Sequence, residues 1–398
     1  MRKRKNMLEI IKQLAVVISI IIASSCMADQ IQVTEHCVFD GTKGWQHEDM
    51  TYRLACAAIV TELNNGELVV LWISGSDNEP ATDNCAVMAK SCDSGKTWSE
   101  PWVLAPANDG MMTVCSNIYQ LADGRVVALW AKLPVEGKYT IWHYYRMYSD
   151  DNCITWSQPE PFGVFKNDGA SLFEGRPLRL ANGEYFFAGT CMFKREKPLL
   201  APVKELSNAV TEEQALSMPE GKGNNGNVFA KNLHGCAAFI SSNEDGRGMS
   251  LVATITNRPM GLLEPTCLQL KDGSITMLMR AQYDGFLWRA DSKDNGRTWT
   301  PGCRTDIPNP SSMANLVRMP DGRIVLLHNN TSGPQREPLS IWVSRDEMKT
   351  WYTKQDVIYG GKLAYPNGIV LKNGRLVFVY DRDRRQVRFV EVELPAID

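Results

Sequence analysis

The side chains of this chain that could do chemistry are charged residues beside apolar, β-prone runs. Arg53 follows Tyr52, Glu264 precedes a Pro-Thr pair, and Arg280 ends an apolar run. A planar guanidinium can form two parallel hydrogen bonds to a carboxylate, and it does not lose its proton near neutral pH. Arginines placed in this way can therefore hold an anionic ligand.

The cysteines and histidines are not spaced as metal ligands. The eleven cysteines include no CxxC pair, and the five histidines include no HxxxH pair. No metal site and no organic cofactor is implied. Several cysteines lie in apolar or strand-like contexts and are predicted to be buried thiols rather than a disulfide framework. These are Cys56, Cys85, Cys115, Cys191 and Cys267.

Overall charge argues against binding by electrostatics alone. The 398 residues carry a formal net charge of −2, and no six-residue block of one charge occurs. Neither nucleic acid nor an anionic membrane surface is therefore predicted as a partner.

The first 28 residues are predicted to be an export signal. Residues 2–5 are basic, residues 14–23 are apolar, and small residues precede Cys26. The apolar stretch is too short for a membrane-spanning helix. Cleavage before Cys26 would leave a lipidated cysteine that anchors the protein to a membrane, but Ala23 stands where such signals usually carry Leu. A periplasmic, lipoprotein or secreted location stays open.

Six Asn-Gly or Asp-Gly pairs define the elements that must position the charged residues. Such a pair readily takes the positive φ angles of a hairpin turn, and the apolar run after each pair suits a buried strand. The steps between successive glycines are 58, 59, 90, 49 and 52 residues, by subtraction of their positions. The pairs are Asn65-Gly66, Asp123-Gly124, Asn182-Gly183, Asp272-Gly273, Asp321-Gly322 and Asn373-Gly374.

A second motif, Ser-x-Asp-x-x-x-Thr-Trp, occurs four times in fixed phase with the hairpins, at residues 91–98, 149–156, 292–299 and 344–351. Two signals in one phase are typical of repeated four-stranded units. Residues 29–398 are therefore predicted to form one all-β domain, a six-bladed β-propeller with four-stranded antiparallel blades. The motif itself is predicted to be structural, because its Asp can accept backbone N–H bonds and its Trp can pack between strands.

Two segments fall outside the repeat. An insertion around residues 194–232, rich in Pro, Glu, Gly and Asn, explains the step of 90 residues. It is predicted to be a long loop that either shapes a binding site or makes a disordered surface excursion. Residues 36–51 are predicted to supply a strand that helps to close the ring.

The Ser-x-Asp-x-Gly-x-Thr-Trp box resembles the Asp-box of the sialidase superfamily, and the resemblance covers the mature chain. Sialidases hold the carboxylate of sialic acid with three arginines. The resemblance assigns these to Arg53 in Tyr52-Arg-Leu-Ala55, to Arg280 after Met279, and to Arg336 before Glu337-Pro338.

The same resemblance assigns the catalytic groups. Tyr365, in Ala364-Tyr-Pro-Asn367, matches the nucleophile, and Glu264 matches the base that removes its proton. A neutral phenol can approach an anomeric carbon that bears a carboxylate, whereas an anionic nucleophile is repelled. The acid/base is assigned to Asp83, with Asp77 in reserve, in the segment 76–83 that precedes the first box.

Further polar residues lie near the starts of predicted inner strands. Inner strands line the central channel of a propeller, so these residues can reach a ligand bound there. Arg176 has a structural salt bridge as an equal alternative. These residues are Glu174, Arg176, Asn257-Arg258, Tyr283-Asp284 and Asn309-Pro310.

The resemblance implies a retaining exo-α-sialidase that removes terminal sialic acid from glycoconjugates. Two departures matter: Pro366-Asn367 replaces the usual Ser-Asp after the tyrosine, and Arg53 lacks the usual Ile-Pro after it. Two alternatives therefore stay open. One is a propeller hydrolase that acts on another terminal acidic or deoxy sugar, and the other is a glycan-binding propeller without catalysis.

Overall fold

The computed structural model describes residues 30–135, 141–166, 170–173, 175–194, 232–256, 261–282 and 284–396. The predicted export signal, nearly all of the 194–232 insertion, and Glu174, Asn257, Arg258 and Tyr283 lie outside the described residues. In these ranges no helix is long and apolar enough to cross a membrane.

Six antiparallel sheets confirm the predicted propeller. In chain order, the first three blades contain β4 to β7, β8 to β11 and β12 to β16. Their strands are β4 Leu54–Glu62, β5 Leu68–Gly75, β6 Cys85–Ser91, β7 Trp102–Ala105, β8 Met111–Gln120, β9 Val126–Pro134, β10 Ile141–Ser149, β11 Glu160–Lys166, β12 Ala170–Phe173, β13 Leu178–Arg179, β14 Tyr185–Lys194, β15 Asn232–Ser241 and β16 Ser250–Ile255.

Blade 3 differs from its neighbours because two short strands, β12 and β13, pair with β14 where the other blades have one inner strand. The remaining blades contain β17 to β20, β21 to β24, and β25 to β27 with β1. Their strands are β17 Leu262–Gln269, β18 Ile275–Ala281, β19 Phe286–Ser292, β20 Cys303–Pro308, β21 Asn315–Arg318, β22 Ile324–Asn329, β23 Leu339–Ser344, β24 Thr353–Ile358, β25 Leu363–Val370, β26 Leu376–Arg382, β27 Gln386–Glu393 and β1 Gln32–Asp40.

The ring closes through β1, which pairs antiparallel with β27 and completes blade 6. The prediction of a closing strand in residues 36–51 was therefore only partly right. The closing strand starts earlier, and β2 (Trp45–His47) and β3 (Met50–Tyr52) form a separate hairpin. The chain leaves β1 at a turn in which Asp40 Oδ1 accepts the backbone N–H of Thr42, 3.2 Å away.

All six predicted hairpin turns join the first and second strands of a blade, but only their glycines take positive φ angles. The expectation that the preceding Asn or Asp shares this conformation was wrong. Instead, that side chain accepts the backbone N–H two residues later, as Asn65 Oδ1 does from Glu67 at 3.1 Å. The same bond recurs in the other five turns, so the Asn or Asp stabilises the turn by its side chain.

The repeated boxes lie between the third and fourth strands of their blades, and they confirm a structural role. In the first box, Asp93 accepts hydrogen bonds from the backbone N–H and the hydroxyl of Thr97 at 2.9 and 2.6 Å. Gly95, at φ 92°, lies against the ring of Phe389 in blade 6, so that a Cβ there would clash with the ring. The box therefore fixes its own turn and packs one blade on the next.

The described cysteines are free thiols, and Cys56, Cys85, Cys115 and Cys191 are buried as predicted. Cys267 is only partly buried. The buried apolar residues form clusters that span neighbouring blades. Burial of one such side chain stabilises the fold by about 1.5–3 kcal/mol, so the core between blades makes the scaffold rigid.

Candidate active site

Bulges in three inner strands create the site. The antiparallel register shifts after Cys56 in blade 1, after Leu263 in blade 4 and after Ala364 in blade 6. The next residues, Ala57, Glu264 and Tyr365, have φ angles of 53°, 47° and 54°. A left-handed conformation costs a residue with a side chain about 1–2 kcal/mol, and such outliers cluster at functional sites. Each bulge re-aims a side chain that would otherwise follow the strand.

Glu264 and Tyr365 occupy equivalent places in their blades. Each is followed by proline, and each follows a residue that pairs with the end of the second strand. The second-strand partners at these places are Arg280 in blade 4 and Asp381 in blade 6. One local structure thus presents two different candidate side chains at the same end of the propeller channel.

Tyr365, Glu264 and Arg280 form a direct hydrogen-bonded cluster. The Tyr365 hydroxyl donates to Glu264 Oε1 at 3.1 Å. Arg280 Nη1 donates to Glu264 Oε2 and to the Tyr365 hydroxyl oxygen, the latter at 3.4 Å. Glu264 is held in turn through its backbone N–H, which donates to Thr190 Oγ1 of blade 3 at 2.7 Å.

Ser311 joins the two buried arginines of the site. Arg280 Nε donates to its hydroxyl at 3.0 Å, and Arg336 Nη2 donates to its carbonyl oxygen at 2.8 Å. The Arg336 guanidinium lies 5.3 Å from the centre of the Tyr365 ring. Since Arg280 and Arg336 are only 2% and 5% exposed, their charges are little screened by water.

Burial sets the protonation states of this cluster. It raises the pKa of Tyr365, and the Glu264 carboxylate raises it further, while Arg280 and Arg336 act in the opposite direction. The phenol is thus neutral and needs a base to become a nucleophile. Burial disfavours the charge on Arg280, but Glu264 and Tyr365 outweigh this and raise its pKa overall, so Arg280 stays charged.

The acid of the segment 76–83 that lies beside the bulge of blade 1 is Glu79, which the sequence analysis did not single out. Its Oε2 pairs with Arg384 and lies 3.7 Å from Cys56 Sγ, and its charge acts on Tyr365. Asp83 instead accepts the backbone N–H of Ser76 at 2.9 Å, at the base of the loop. The other predicted acid, Asp77, pairs with Arg385.

The third arginine near the cluster is Arg384, in the turn between β26 and β27. It pairs with Glu79, and its Nη2 is 3.5 Å from Cys56 Sγ. The predicted Arg53 is exposed and lies beside Gly44 at the β2–β3 hairpin. The structure therefore brings Arg280 and Arg336 to Tyr365 and Glu264, whereas the Arg53 side chain lies beside the β2–β3 hairpin.

The remaining described candidates have structural contacts. Arg176 donates to Val60 O and Thr61 Oγ1 of blade 1, at 3.0 and 2.6 Å. Asn309 Oδ1 accepts the backbone N–H of Ser312 at 2.9 Å and so fixes the segment that carries Ser311. Asp284 accepts from Trp288 at 2.7 Å and pairs with Arg304, within blade 4.

Glu79 and Arg384 were missed because neither carries a local signal. Glu79 is one of several acids in its loop, and Arg384 stands in the charged run 381–385.

Comparison with known proteins supports the fold. Residues 118–378 match the family described as BNR repeat-like domain. The chain is similar to a protein of unknown function from Dyadobacter fermentans, with a TM-score of 0.68 and 16% identity over 92% of this chain and 99% of that chain. It is also similar to the Hadza microbial sialidase Hz136, with a TM-score of 0.66 and 15% identity over 87% of this chain and 66% of that chain.

A third similar structure is the Penicillium chrysogenum alpha-L-arabinanase complexed with arabinobiose. Its TM-score is 0.57, with 15% identity over 91% of this chain and 98% of that chain. At these identities the likeness concerns the fold, and at that level the predicted resemblance to the sialidase superfamily is confirmed.

Proposed function

Since the chain belongs to the BNR repeat-like domain family, we propose that it is a propeller glycoside hydrolase, specifically a retaining exo-α-sialidase. The observation that carries the proposal is the hydrogen bond between Tyr365 and Glu264, with Arg280 bonded to both. A protein that only binds glycans has no need of a phenol paired with a carboxylate. A sialylated or other acidic glycan is the proposed partner.

In the proposed reaction, Arg280 and Arg336 hold the carboxylate of the terminal sugar. The Tyr365 oxygen attacks the anomeric carbon while Glu264 takes the phenolic proton, and the bond to the leaving oxygen breaks. Water then attacks the same carbon, and the Tyr365 oxygen leaves and recovers its proton from Glu264. Two displacements at one carbon retain its configuration.

Glu79 is the proposed acid/base, in the role that the sequence analysis gave to Asp83. It would give its proton to the leaving oxygen and later accept one from the attacking water. The proposal rests on its place beside Arg384 and Cys56 and on the action of its charge on Tyr365. Asp83 is engaged with its own loop.

The position of Arg53 favours one alternative, a hydrolase specific for another terminal acidic sugar. Contacts join Arg280 and Arg336 to Tyr365, whereas Arg53 lies beside Gly44 and Arg384, in blade 6, pairs with Glu79. An altered set of cations would suit a carboxylate placed differently on the sugar ring.

Release of the fluorophore from 4-methylumbelliferyl sialic acid tests the proposal. Wild-type protein is expected to turn over, and Tyr365→Phe and Arg280→Ala are each expected to lose at least about 100-fold, or about 3 kcal/mol of transition-state stabilisation. Tyr359→Phe and Arg297→Ala, at exposed positions, are the matched controls.

A folded wild-type protein that leaves the sialoside intact would remove sialic acid as the substrate. Other terminal acidic and deoxy sugars would then be screened, and activity on one of them would establish the alternative hydrolase. Binding of a glycan without turnover of any would instead establish a binding propeller.

A further inference from the structure

A fully buried carboxylate, Asp381, lies at the base of the proposed site. It is 0% exposed at the end of β26. Its Oδ2 accepts the backbone N–H of Ala57 in the neighbouring blade at 3.3 Å. Its Oδ1 has no hydrogen-bond partner in the part of the chain that the structure describes. A buried carboxylate oxygen without a donor is costly unless cations lie nearby.

The charges of three cations act on Asp381: Arg384 in the turn after β26, Arg336 before β23, and Lys362 before β25. Backbone pairing holds these elements together, because Asp381 pairs with Ala364 on β25 and the carbonyl oxygen of Arg336 accepts the N–H of Leu363 at 2.9 Å. Arg384 Nη2 lies 3.5 Å from the thiol sulfur of Cys56 on β4, the residue before Ala57, and this thiol also senses the charge of Asp381. The same Arg336 lies over the Tyr365 ring, so Asp381 shares a cation with the proposed substrate pocket.

The electrostatics of Asp381 place its titration in the physiological range. Burial raises its pKa to about 7, although Arg384, Arg336 and the backbone of Ala57 act against this rise. The carboxyl is therefore neutral in acid and becomes charged as the pH rises through neutrality.

We propose that Asp381 is an internal counter-anion for Arg336 and Arg384 in the ligand-free protein. When a substrate carboxylate binds to these arginines, Asp381 takes up a proton and becomes neutral. The inference rests on the proposed function, because it requires an acidic ligand. Asp381 is thus a positioning residue: it touches neither the sugar nor the reacting atoms, and it sets how strongly the arginines attract an anion.

This arrangement couples ligand binding to a proton. The carboxylate of a bound ligand places a second negative charge beside the same arginines, and this raises the pKa of Asp381. Above neutral pH, Asp381 is therefore protonated in the complex and ionised in the ligand-free protein. By linkage, the affinity for an acidic ligand must fall as the pH rises, by at most about tenfold per pH unit for one coupled proton.

Calorimetric titration with N-acetylneuraminate from pH 5.5 to 8.5, in pairs of buffers that differ in ionisation enthalpy, measures the affinity and the number of protons taken up on binding. Wild-type protein is expected to weaken about tenfold between pH 7 and 8.5 and to take up close to one proton at the upper end. Asp381→Asn is expected to abolish most of this uptake. The control Asp284→Asn removes another buried aspartate whose pKa is raised, in blade 4, and should retain the uptake.

Lys362 is the competing source of a proton, because burial lowers its pKa and Arg336 lowers it further. Uptake that persists in Lys362→Met assigns the proton to Asp381, and this variant also serves if Asp381→Asn does not fold. Uptake that disappears in Lys362→Met, or that is unchanged in Asp381→Asn, overturns the inference, as does an affinity that does not vary with pH. Failure of wild-type protein to bind at pH 5.5 overturns the proposed sialic acid site itself.

Discussion

At the scale of single residues, the candidate site provides separately the two properties that the proposed tyrosine nucleophile requires, a protonated phenol and a nearby base. Burial keeps the Tyr365 phenol protonated, and the hydrogen bond to Glu264 provides the path by which the proton leaves. Arg280, bonded to both groups, can stabilise the negative charge that passes between them.

Glu79→Gln is expected to lower kcat on a natural sialoside at least about 100-fold, because protonation of a poor leaving group then has no donor. An activated aryl leaving group needs less protonation, so the loss with the 4-methylumbelliferyl substrate should be much smaller. Asp83→Asn, from the same loop, is the control. A larger loss in Asp83→Asn than in Glu79→Gln would return the acid/base role to Asp83.

The stability of the protein is expected to reflect Asp381. Its pKa is raised to about 7 in the folded protein, against about 3.9 for an unfolded chain. The stability from its protonated form is fully present below about pH 4 and is lost as the pH rises to about 7. The Tm of Asp381→Asn relative to wild type should therefore rise across this window in thermal scans.

A difference in Tm that stays constant from pH 4 to 7 would contradict this reading. Asp306→Asn, at an exposed position on β20, controls for the removal of one negative charge.

The four predicted site residues that the structure brings together carry recognisable local patterns. Glu264 and Tyr365 precede prolines, Arg280 closes an apolar strand, and Arg336 precedes Glu337-Pro338. Glu79, Arg384 and Asp381 depend on how blades 1 and 6 meet across the closure of the ring. No local pattern encodes that meeting, and the role given to Arg53 stays a prediction.

At the scale of elements, the boxes show how one glycine joins two blades. Gly95 lies against Phe389 and has φ 92°, whereas Gly66, with φ 85°, has open space around it. Gly296 repeats the arrangement of Gly95 against Phe186. The box position thus requires glycine for two reasons: its φ angle is positive, and a Cβ there would clash with the phenylalanine ring of the neighbouring blade.

Gly95→Ala is expected to destabilise the protein by about 2–5 kcal/mol, the sum of left-handed strain and overpacking. Gly66→Ala should cost only the strain, about 1–2 kcal/mol. Denaturant unfolding measures both. Equal losses would show that Phe389 moves aside and that the box does not fix the contact between the blades.

At the scale of the whole molecule, closure of the ring builds the site. Blade 6 takes its outer strand β1 from the start of the described chain and its other three strands from the end. Blades 1 and 6 then meet where Ala57 donates to Asp381 and where Glu79 pairs with Arg384. The repeat predicted the six blades, and blade 3, which lacks a box of the repeated type, departs most from the common pattern.

Weakening of the closure is expected to reduce stability and activity together. Phe39, on β1, is 5% exposed and packs in the cluster between blades 1 and 6, so Phe39→Ala should cost about 3–5 kcal/mol. Thr34→Ala, on the same strand, is the control. When unfolding is followed by fluorescence and by residual activity, the two transitions should coincide. Loss of activity well before the change in fluorescence would show that activity and ring closure are not lost together.

If Tyr365 forms the proposed covalent bond to the sugar, intact mass spectrometry after incubation with 2,3-difluorosialic acid will detect it. We expect a mass increase of one fluorinated sugar, mapped by peptide digestion to Tyr365 and absent in Tyr365→Phe. An adduct on another residue, or hydrolysis of sialosides by a protein that never forms one, would contradict it.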